Sequence, residues 1–214
     1  LKRHWWRFWH VPGQPLPPVH VDTPDGPVDC PCVPLPYDVD DDAQSWDMSF
    51  KQTDSGSYVV GQVWSRAGAN LFLRDQVRAR LDFPASIQAV EHLSRQWPNT
   101  RAKYVEDAAN GPAVISTLTA KIPGLIPVRA DTSKAARAHA IAPFVESGNV
   151  YLPHPRLAGW VDELIGEAAS FPNGAHDDQV DALTQAVTRM LKAAGFGSIG
   201  DALAAAMSWQ SRSE

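Results

Sequence analysis

Three aspartates within five positions are the residues of this chain best suited to chemistry. Asp177, Asp178 and Asp181 follow the turn-forming segment Pro172-Asn173-Gly174 and precede an apolar run, 182–191, that predicts a helix. Asp181 then shares a helix face with both other acids, and each such pair repels by roughly 0.2–0.5 kcal/mol. Capping of the helix N-terminus accounts for one or two of them. A divalent cation with oxygen ligands accounts for all three, and both interpretations stay open on these residues alone.

Two further acids stand at the ends of predicted strands. Asp47 lies at the end of a candidate strand over 44–48 and Glu106 at the end of one over 103–106, each beside apolar side chains. A buried carboxylate needs a partner or a cation, although Asp47 taken alone also suits a surface strand end. If the two strands are neighbours, both acids reach one rim of the sheet, to which the last helix brings Asp178. Three or four carboxylates around one point predict a site for two Mg²⁺ or Mn²⁺ ions and hydrolysis of a phosphodiester bond.

Composition narrows the class of protein. The chain has 214 residues, 44% of them hydrophobic and 20% charged, which suits one soluble domain with a real core. No apolar run is long enough for a membrane span, and a secretory signal is absent, which favours a cytosolic setting. The net charge of −5 argues against a protein that merely coats nucleic acid, but not against an enzyme acting on it. Cys30-Pro31-Cys32 provides too few ligands for zinc and lacks redox spacing, so free loop thiols are predicted.

The remaining pattern predicts the elements that must position the acids. Hydrophobic periodicity indicates further strands over 58–64, 71–74, 125–129 and 149–152, and helices over 84–97, 112–120, 132–145 and 156–169. A hairpin followed by alternating helices and strands predicts an α/β fold with a mixed sheet, partly antiparallel and partly parallel, flanked by helices. In such sheets chemistry gathers at the carboxyl ends of the strands. The side chains of Trp64, Trp97 and Trp160 have core-compatible spacing and are expected to pack.

Residues 1–43 differ from the rest of the chain. Three of the eight tryptophans lie within the first nine residues, and a proline-rich stretch follows, which excludes helix and central strand there. This composition predicts a linker or arm, whose aromatic start docks either on this domain or on a missing one. We therefore expect a linker over 1–43, the main domain over 44–195 and a C-terminal tail over 196–214. A start at Leu1 rather than Met suggests a fragment or a processed product.

Several segments carry a specific signal through their order and spacing. They are Trp46-Asp47-Met48-Ser49-Phe50, Tyr58-Val59-Val60-Gly61-Gln62-Val63-Trp64, Val105-Glu106-Asp107-Ala108-Ala109-Asn110-Gly111-Pro112-Ala113-Val114-Ile115, Ser133-Lys134-Ala135-Ala136-Arg137-Ala138, Gly148-Asn149-Val150-Tyr151-Leu152-Pro153 and Phe171-Pro172-Asn173-Gly174-Ala175-His176-Asp177-Asp178-Gln179-Val180-Asp181-Ala182. Through them, residues 44–192 resemble the nuclease domain of the phage terminase large subunit, the DNA-packaging motor. The resemblance implies a ribonuclease H-like fold and two-metal cleavage of double-stranded DNA, which cuts concatemers into genome lengths.

The resemblance also implies which residues form the site. Asp47, Glu106 and Asp178 match the family's catalytic acids on the first strand, the fourth strand and the last acidic motif. The implied metal ligands are Asp47, Glu106, Asp178, Asp181, Asp177 and, as an alternative beside Glu106, Asp107. Many relatives carry another aspartate near the start of the second strand, where this chain has Ser57, and Asp54 is a weak substitute.

Basic residues near the predicted site suit contacts with DNA phosphates. These are Lys134, Arg137, Arg129 and Arg101. Such contacts would hold the duplex without reading its sequence, whereas solvated surface cations are an equal alternative for each one singly. The Ser-Lys context of Lys134 recurs in the family, where it would steady the scissile phosphate.

The resemblance further implies partners. A full-length family protein carries an ATPase domain in cis and works with a portal protein and a small terminase subunit in the host cytoplasm, without a membrane. This chain has no GxxxxGK[ST] motif, so by itself it is expected neither to hydrolyse ATP nor to translocate DNA. Two alternatives remain: another ribonuclease H-like nuclease, such as a junction resolvase or integrase, and a non-catalytic acidic docking module of the motor.

Overall fold

One mixed sheet organises the fold. A computed structural model describes residues 1–48, 58–107, 111–196 and 198–210. Its strands are β1 (Arg7–His10), β2 (Val19–Thr23), β3 (Gly26–Cys30), β4 (Cys32–Pro34), β5 (Asp41–Met48), β6 (Val59–Ala67), β7 (Asn70–Ala79), β8 (Ala102–Glu106), β9 (Leu125–Val128) and β10 (Val150–Pro153). The helices are α1 (Phe83–Gln96), α2 (Gly111–Leu118), α3 (Lys134–Glu146), α4 (Val161–Ser170), α5 (Asp178–Ala193) and α6 (Ile199–Gln210), with a short 3-10 turn over Arg3–Trp5.

The strand order explains how distant acids meet. The eight-stranded sheet runs β4-β1-β10-β7-β6-β5-β8-β9, with β5, β6 and β7 antiparallel and β5, β8 and β9 parallel. The register pairs Trp46 with Val105, so the next residues, Asp47 and Glu106, lie side by side at the carboxyl ends of β5 and β8. The predicted mixed sheet flanked by helices is confirmed.

The alternation of side chains along β5 separates two cores. Trp46 packs with side chains of α1 and α2 on one face of the sheet, including Leu93 and Leu118. Ser45 and Asp47 point to the other face, where α3, α4 and α5 cover the larger core. This period of two is the ordinary geometry of a strand, and it is why Asp47 sits beside α5 although both its neighbours in sequence are in the opposite core.

Local signals place the helices where the sequence predicts them. At the start of α1, the side chain of Asp82 accepts a hydrogen bond from the Ala85 amide at 2.8 Å, and Pro84 occupies the first turn. Trp64 is fully buried, and Trp97 and Trp160 pack partly buried against the two cores, so the expected packing of these side chains is confirmed. Within the described residues, no helix combines the length and apolar composition needed to cross a bilayer.

The N-terminal segment is part of the sheet rather than a separate arm. Its strand β1 lies between β4 and β10, and the side chains of Trp6 and Phe8 are fully buried. The indole of Trp9 donates to the Leu73 carbonyl at 2.7 Å. Of the two expected docking partners, the segment therefore uses this domain, because its aromatic side chains complete the core. The proline-rich stretch forms only the edge strand β4 and the separate β2–β3 ribbon, as the exclusion of a central strand requires.

Two smaller expectations meet the structure differently. Cys30 and Cys32 are free thiols, as predicted, but they lie at the end of β3 and the start of β4 rather than in a loop. In the C-terminal tail, residues 199–210 form α6, whose Ala202 is buried in the larger core. The sequence specifies this helix poorly because its small Ala and Ser side chains give little periodic signal.

Candidate active site

Acids from three distant segments meet at the carboxyl ends of the parallel strands β5 and β8. Asp47 comes from β5, Glu106 from β8, and Asp178 and Asp181 from the first turn of α5. Asp47, Asp178 and Asp181 are 3%, 3% and 4% exposed, so these carboxyl groups are almost removed from water. The structure thus brings together the acids that the sequence predicted would converge.

The start of α5 is held in place by a neighbouring helix. One carboxylate oxygen of Glu167, on α4, accepts hydrogen bonds from the amides of Gln179 at 2.7 Å and Val180 at 3.2 Å. The other oxygen accepts from the Gln179 side chain at 2.7 Å. Asp177, by contrast, occupies the N-cap position of α5 but makes no side-chain cap bond, so capping does not account for its carboxylate. Glu167 satisfies amides at the helix start instead, so the three aspartate side chains are directed to other partners, among them the Tyr58 amide, which donates to Asp178 at 3.2 Å.

Buried polar contacts fix α5 along the sheet. The Gln185 amide donates to the Ser45 hydroxyl at 2.9 Å and to the carbonyls of Trp46 and Tyr104 at 3.3 Å each. Ser45 in turn donates to the Ala182 carbonyl at 2.7 Å. These bonds tie α5 to both β5 and β8, so the positions of the acids on the three elements depend on one another.

Burial and mutual repulsion raise the pKa values of the central acids. For Asp47 the pKa lies well above its ordinary value, first because of burial and then because of the negative charges of Asp181, Glu106 and Asp178. For Glu106 and Asp181 the pKa is also raised, mainly by burial. The side-chain hydrogen bond between Glu106 and Asp47 opposes this shift and lowers the pKa of Glu106.

Two cations from the first turn of α3 lie among these acids. The Lys134 ammonium lies 2.8 Å from Asp177 and also contacts Asp181, while Arg137 donates to Asp181 at 2.7 Å and approaches Glu106 at 4.0 Å. The Ser133 hydroxyl caps α3 by accepting a hydrogen bond from the Ala136 amide at 3.2 Å. This cap fixes the first turn of α3, which carries both cations. Although burial opposes it, hydrogen bonds to Asp177 and Asp181 raise the pKa of Lys134 above its ordinary value.

The other predicted site residues are placed differently. Asp107 lies beyond Glu106, where the guanidinium of Arg129 donates to it at 2.9 Å. Arg101 precedes β8 and is exposed at the opposite end of that strand from Glu106, so the structure does not bring it to the acids. Ser57 and Asp54 lie outside the described residues.

A cavity of about 220 Å³ adjoins the acids, and residues that the sequence did not single out also line it. Asp47, Glu106 and Asp181 line one part of it, and Gln185 and Arg189 of α5 line another. Asp181, Gln185 and Arg189 follow at steps of four residues, so they share one helix face, and that spacing is the signal that could have identified them. For Glu167, no local pattern distinguished it from any surface glutamate.

The acids provide the donor atoms that a hard divalent cation needs, namely carboxylate oxygens. In the described ranges, however, no three Asp, Glu, His or Cys side chains are arranged closely enough to hold an ion. The side chains of Lys134 and Arg137 form ion pairs with Asp177 and Asp181, so these acids already bind positive charge. The donor set therefore fits Mg²⁺ or Mn²⁺, provided that these side chains rearrange.

The fold and the site together define a class of protein. A sheet with antiparallel β5–β6–β7 and parallel β5–β8–β9, covered by helices and carrying acids at its carboxyl edge, is a ribonuclease H-like nuclease fold. The chain belongs to the family described as the terminase RNaseH-like domain, whose model matches residues 44–189. The resemblance noted in the sequence is thereby confirmed. A comparison with curated proteins found no match.

Solved structures show the same fold at low sequence identity. The large terminase nuclease from thermophilic phage G20c, with bound magnesium, is 15% identical with a TM-score of 0.57, over 87% of this chain and 94% of that one. The nuclease domain from bacteriophage SPP1, with bound Mn, is 11% identical with a TM-score of 0.51, over 71% and 88%. The large terminase from a second thermophilic bacteriophage is 10% identical with a TM-score of 0.56; the match covers 73% of this chain but 41% of that protein.

Proposed function

We propose that this domain is a metal-dependent endonuclease that cleaves double-stranded, concatemeric phage DNA during genome packaging. The observation that carries the proposal is the meeting of Asp47, Glu106 and Asp178 at one edge of a ribonuclease H-like sheet. Asp47 and Asp178 are deeply buried, and the pKa of Asp47 is held well above its ordinary value, so these acids are costly unless a cation compensates them. The G20c and SPP1 nucleases solved with magnesium and Mn support a divalent ion.

In this proposal the chain's own residues divide the work. Asp47, Glu106 and Asp178 would hold two ions, either Mg²⁺ or Mn²⁺, with Asp181, Asp177 and Asp107 as further ligands. Bound there, the ions would supply the positive charge needed to activate a water molecule and to stabilise the leaving oxygen. Lys134, Arg137 and Arg129 border the same site and neutralise phosphate charge, which positions the duplex without reading sequence. Arg101, at the other end of β8, would contact DNA only if the duplex extends around that edge.

The wider setting is also part of the proposal. The large terminase of the second thermophilic phage has been solved with ADP and with ATP-γ-S, and this chain covers less than half of it. We therefore propose an ATPase domain in cis. Portal protein and small terminase subunit would be the partners, and assembly in the host cytoplasm the setting.

Plasmid cleavage with and without Mn²⁺ tests the proposal. We expect linearised or nicked DNA only with metal, and a loss of at least about 100-fold in Asp47→Asn and Asp178→Asn, since even residues that merely support ligands cost 10–100-fold. Asp162→Asn, an exposed acid on α4, is the matched control and should cut normally. Cutting by both site variants at the wild-type rate would exclude this assignment.

The alternatives give different results in the same assay. A junction resolvase or integrase would prefer branched DNA or DNA ends over linear duplex. An acidic docking module would show neither cleavage nor saturable Mn²⁺ binding.

A further inference from the structure

The two cationic side chains of α3 form ion pairs with acids that are metal ligands in the proposed function. Lys134 bridges Asp177 and Asp181, and Arg137 reaches from Asp181 towards Glu106. Asp181 thus has positive charge against both of its carboxylate oxygens. These contacts are charge-assisted and largely shielded from water at Asp181, so they compete with any other cation for the same oxygens.

Both cationic side chains have room to move away from the acids. The Lys134 side chain is 46% exposed, so its ammonium can return to solvent by rotation of a long, flexible stem. Arg137 lines the 220 Å³ cavity beside the acids, and its guanidinium also donates to the Thr132 carbonyl at 3.1 Å. The cavity gives this side chain room to leave Asp181 while α3 keeps its place.

We propose that Lys134 and Arg137 are internal counter-cations that divalent metal must displace, and that they thereby set the metal affinity of the site. The inference rests on the proposed function, because it concerns the same acids. Displacement and metal binding are then one linked equilibrium: whatever weakens the internal ion pairs strengthens metal binding by the same free energy. Once displaced, the two charges are available to DNA phosphates, which is the role that the sequence predicts for them.

Metal affinity without DNA is the measurement that isolates this linkage. We expect Lys134→Gln and Arg137→Gln each to bind Mn²⁺ about tenfold more tightly in calorimetric titration, equivalent to about 1.4 kcal/mol. Lys134→Arg keeps a cation that can still pair with Asp177 and Asp181, and its affinity should stay near that of the wild type. Arg189→Gln is the matched control, since it removes a charge from the same cavity; within the described ranges no ion pair joins Arg189 to an acid, and its affinity should change less than about twofold.

Thermal unfolding provides the second readout. In EDTA, Lys134→Gln and Arg137→Gln should melt at lower temperature than the wild type, because the acids lose their compensation. Saturating Mn²⁺ should then raise the melting temperature of both variants more than it raises that of the wild type. Circular dichroism establishes that each variant is folded, and if one Gln variant is not, the other still carries the test.

The outcomes separate the two proposals. Unchanged or weaker Mn²⁺ binding by both Gln variants would overturn the counter-cation role and would assign the two side chains to preorganising the acids instead. An equal tightening in Arg189→Gln would also overturn it, because general electrostatics would suffice. Absence of saturable Mn²⁺ binding by the wild-type protein would reject the metal site itself, and with it the proposed function.

Discussion

Asp47 shows how strongly the surroundings of one residue determine its chemistry. Its side chain is buried beside three other acids, and burial is the largest cause of its raised pKa. A carboxyl group in this position favours its neutral form until a cation arrives. The residue is therefore a source of instability in the metal-free protein and a ligand in the proposed metal-bound one.

This dual role predicts a pH-dependent effect of Asp47→Asn. Because the folded pKa of Asp47 is raised, the folded state binds this proton more tightly than the unfolded state, so stability falls as pH rises from the ordinary aspartate range through the raised pKa. The substituted amide cannot ionise and avoids that loss. In EDTA, the variant should gain roughly 1–3 kcal/mol over the wild type at high pH and little near pH 4.

Urea unfolding at several pH values measures this difference. Asp162→Asn, exposed on α4, should show no comparable pH dependence. A constant difference between Asp47→Asn and the wild type across the pH range would contradict the raised pKa.

At the scale of elements, the position of α5 relative to α4 decides whether the acids meet. Glu167 binds the first amides of α5 and is only 7% exposed. Its carboxylate also forms an ion pair with the Arg78 guanidinium at 3.5 Å. The exposed carboxylate of Glu163 binds the same guanidinium at 2.5 Å. Two glutamates on one helix therefore share an arginine, but only one of them holds the site.

Replacing Glu167 with Gln should separate these roles. The variant keeps an acceptor oxygen but loses the charge, so we expect a loss of about 1–3 kcal/mol in the free energy of unfolding. Mn²⁺ affinity should fall roughly tenfold, because Asp178 and Asp181 are no longer held firmly. Glu163→Gln removes the exposed ion pair and should change stability by less than about 1 kcal/mol. Equal effects of the two substitutions on calorimetric Mn²⁺ titrations would refute the positioning role.

At the scale of the whole molecule, the first ten residues are built into the sheet. Phe8 on β1 is fully buried in the larger core, and β1 pairs with β10 on one side and β4 on the other. The family match begins only at residue 44, so this strand lies outside the part of the chain that the family model matches.

Truncation of a side chain in β1 tests this integration. Phe8→Ala should lower the free energy of unfolding by about 3–5 kcal/mol, as expected for a fully buried aromatic side chain. Tyr37→Ala, at a position 87% exposed, should lie within about 0.5 kcal/mol of the wild type. A loss below about 1 kcal/mol for Phe8→Ala in denaturant titration would contradict the docking of this segment on the domain.

The sequence by itself determined the local order of the domain. Period-two and helical patterns predicted the strands and helices between residue 44 and the end of α5, but not α6, and apolar neighbours identified Asp47 and Glu106 as unusual acids. These features are local, because they depend on residues a few positions apart. The structure of segment 1–43 was harder to predict from the sequence. Its many prolines are typical of a linker, although the aromatic side chains of β1 are buried in the core.

Only the tertiary structure decided which groups face one another. Glu167 contacts α5 across a turn between helices, Lys134 and Arg137 reach acids more than forty positions away, and Arg101 is separated from Glu106 by the length of β8. Such pairings depend on strand order and helix packing, which no short window of sequence contains. For the same reason the sequence left capping open as the role of these aspartates, whereas in the folded chain Asp177 holds the N-cap position without a side-chain cap bond and its carboxylate binds Lys134.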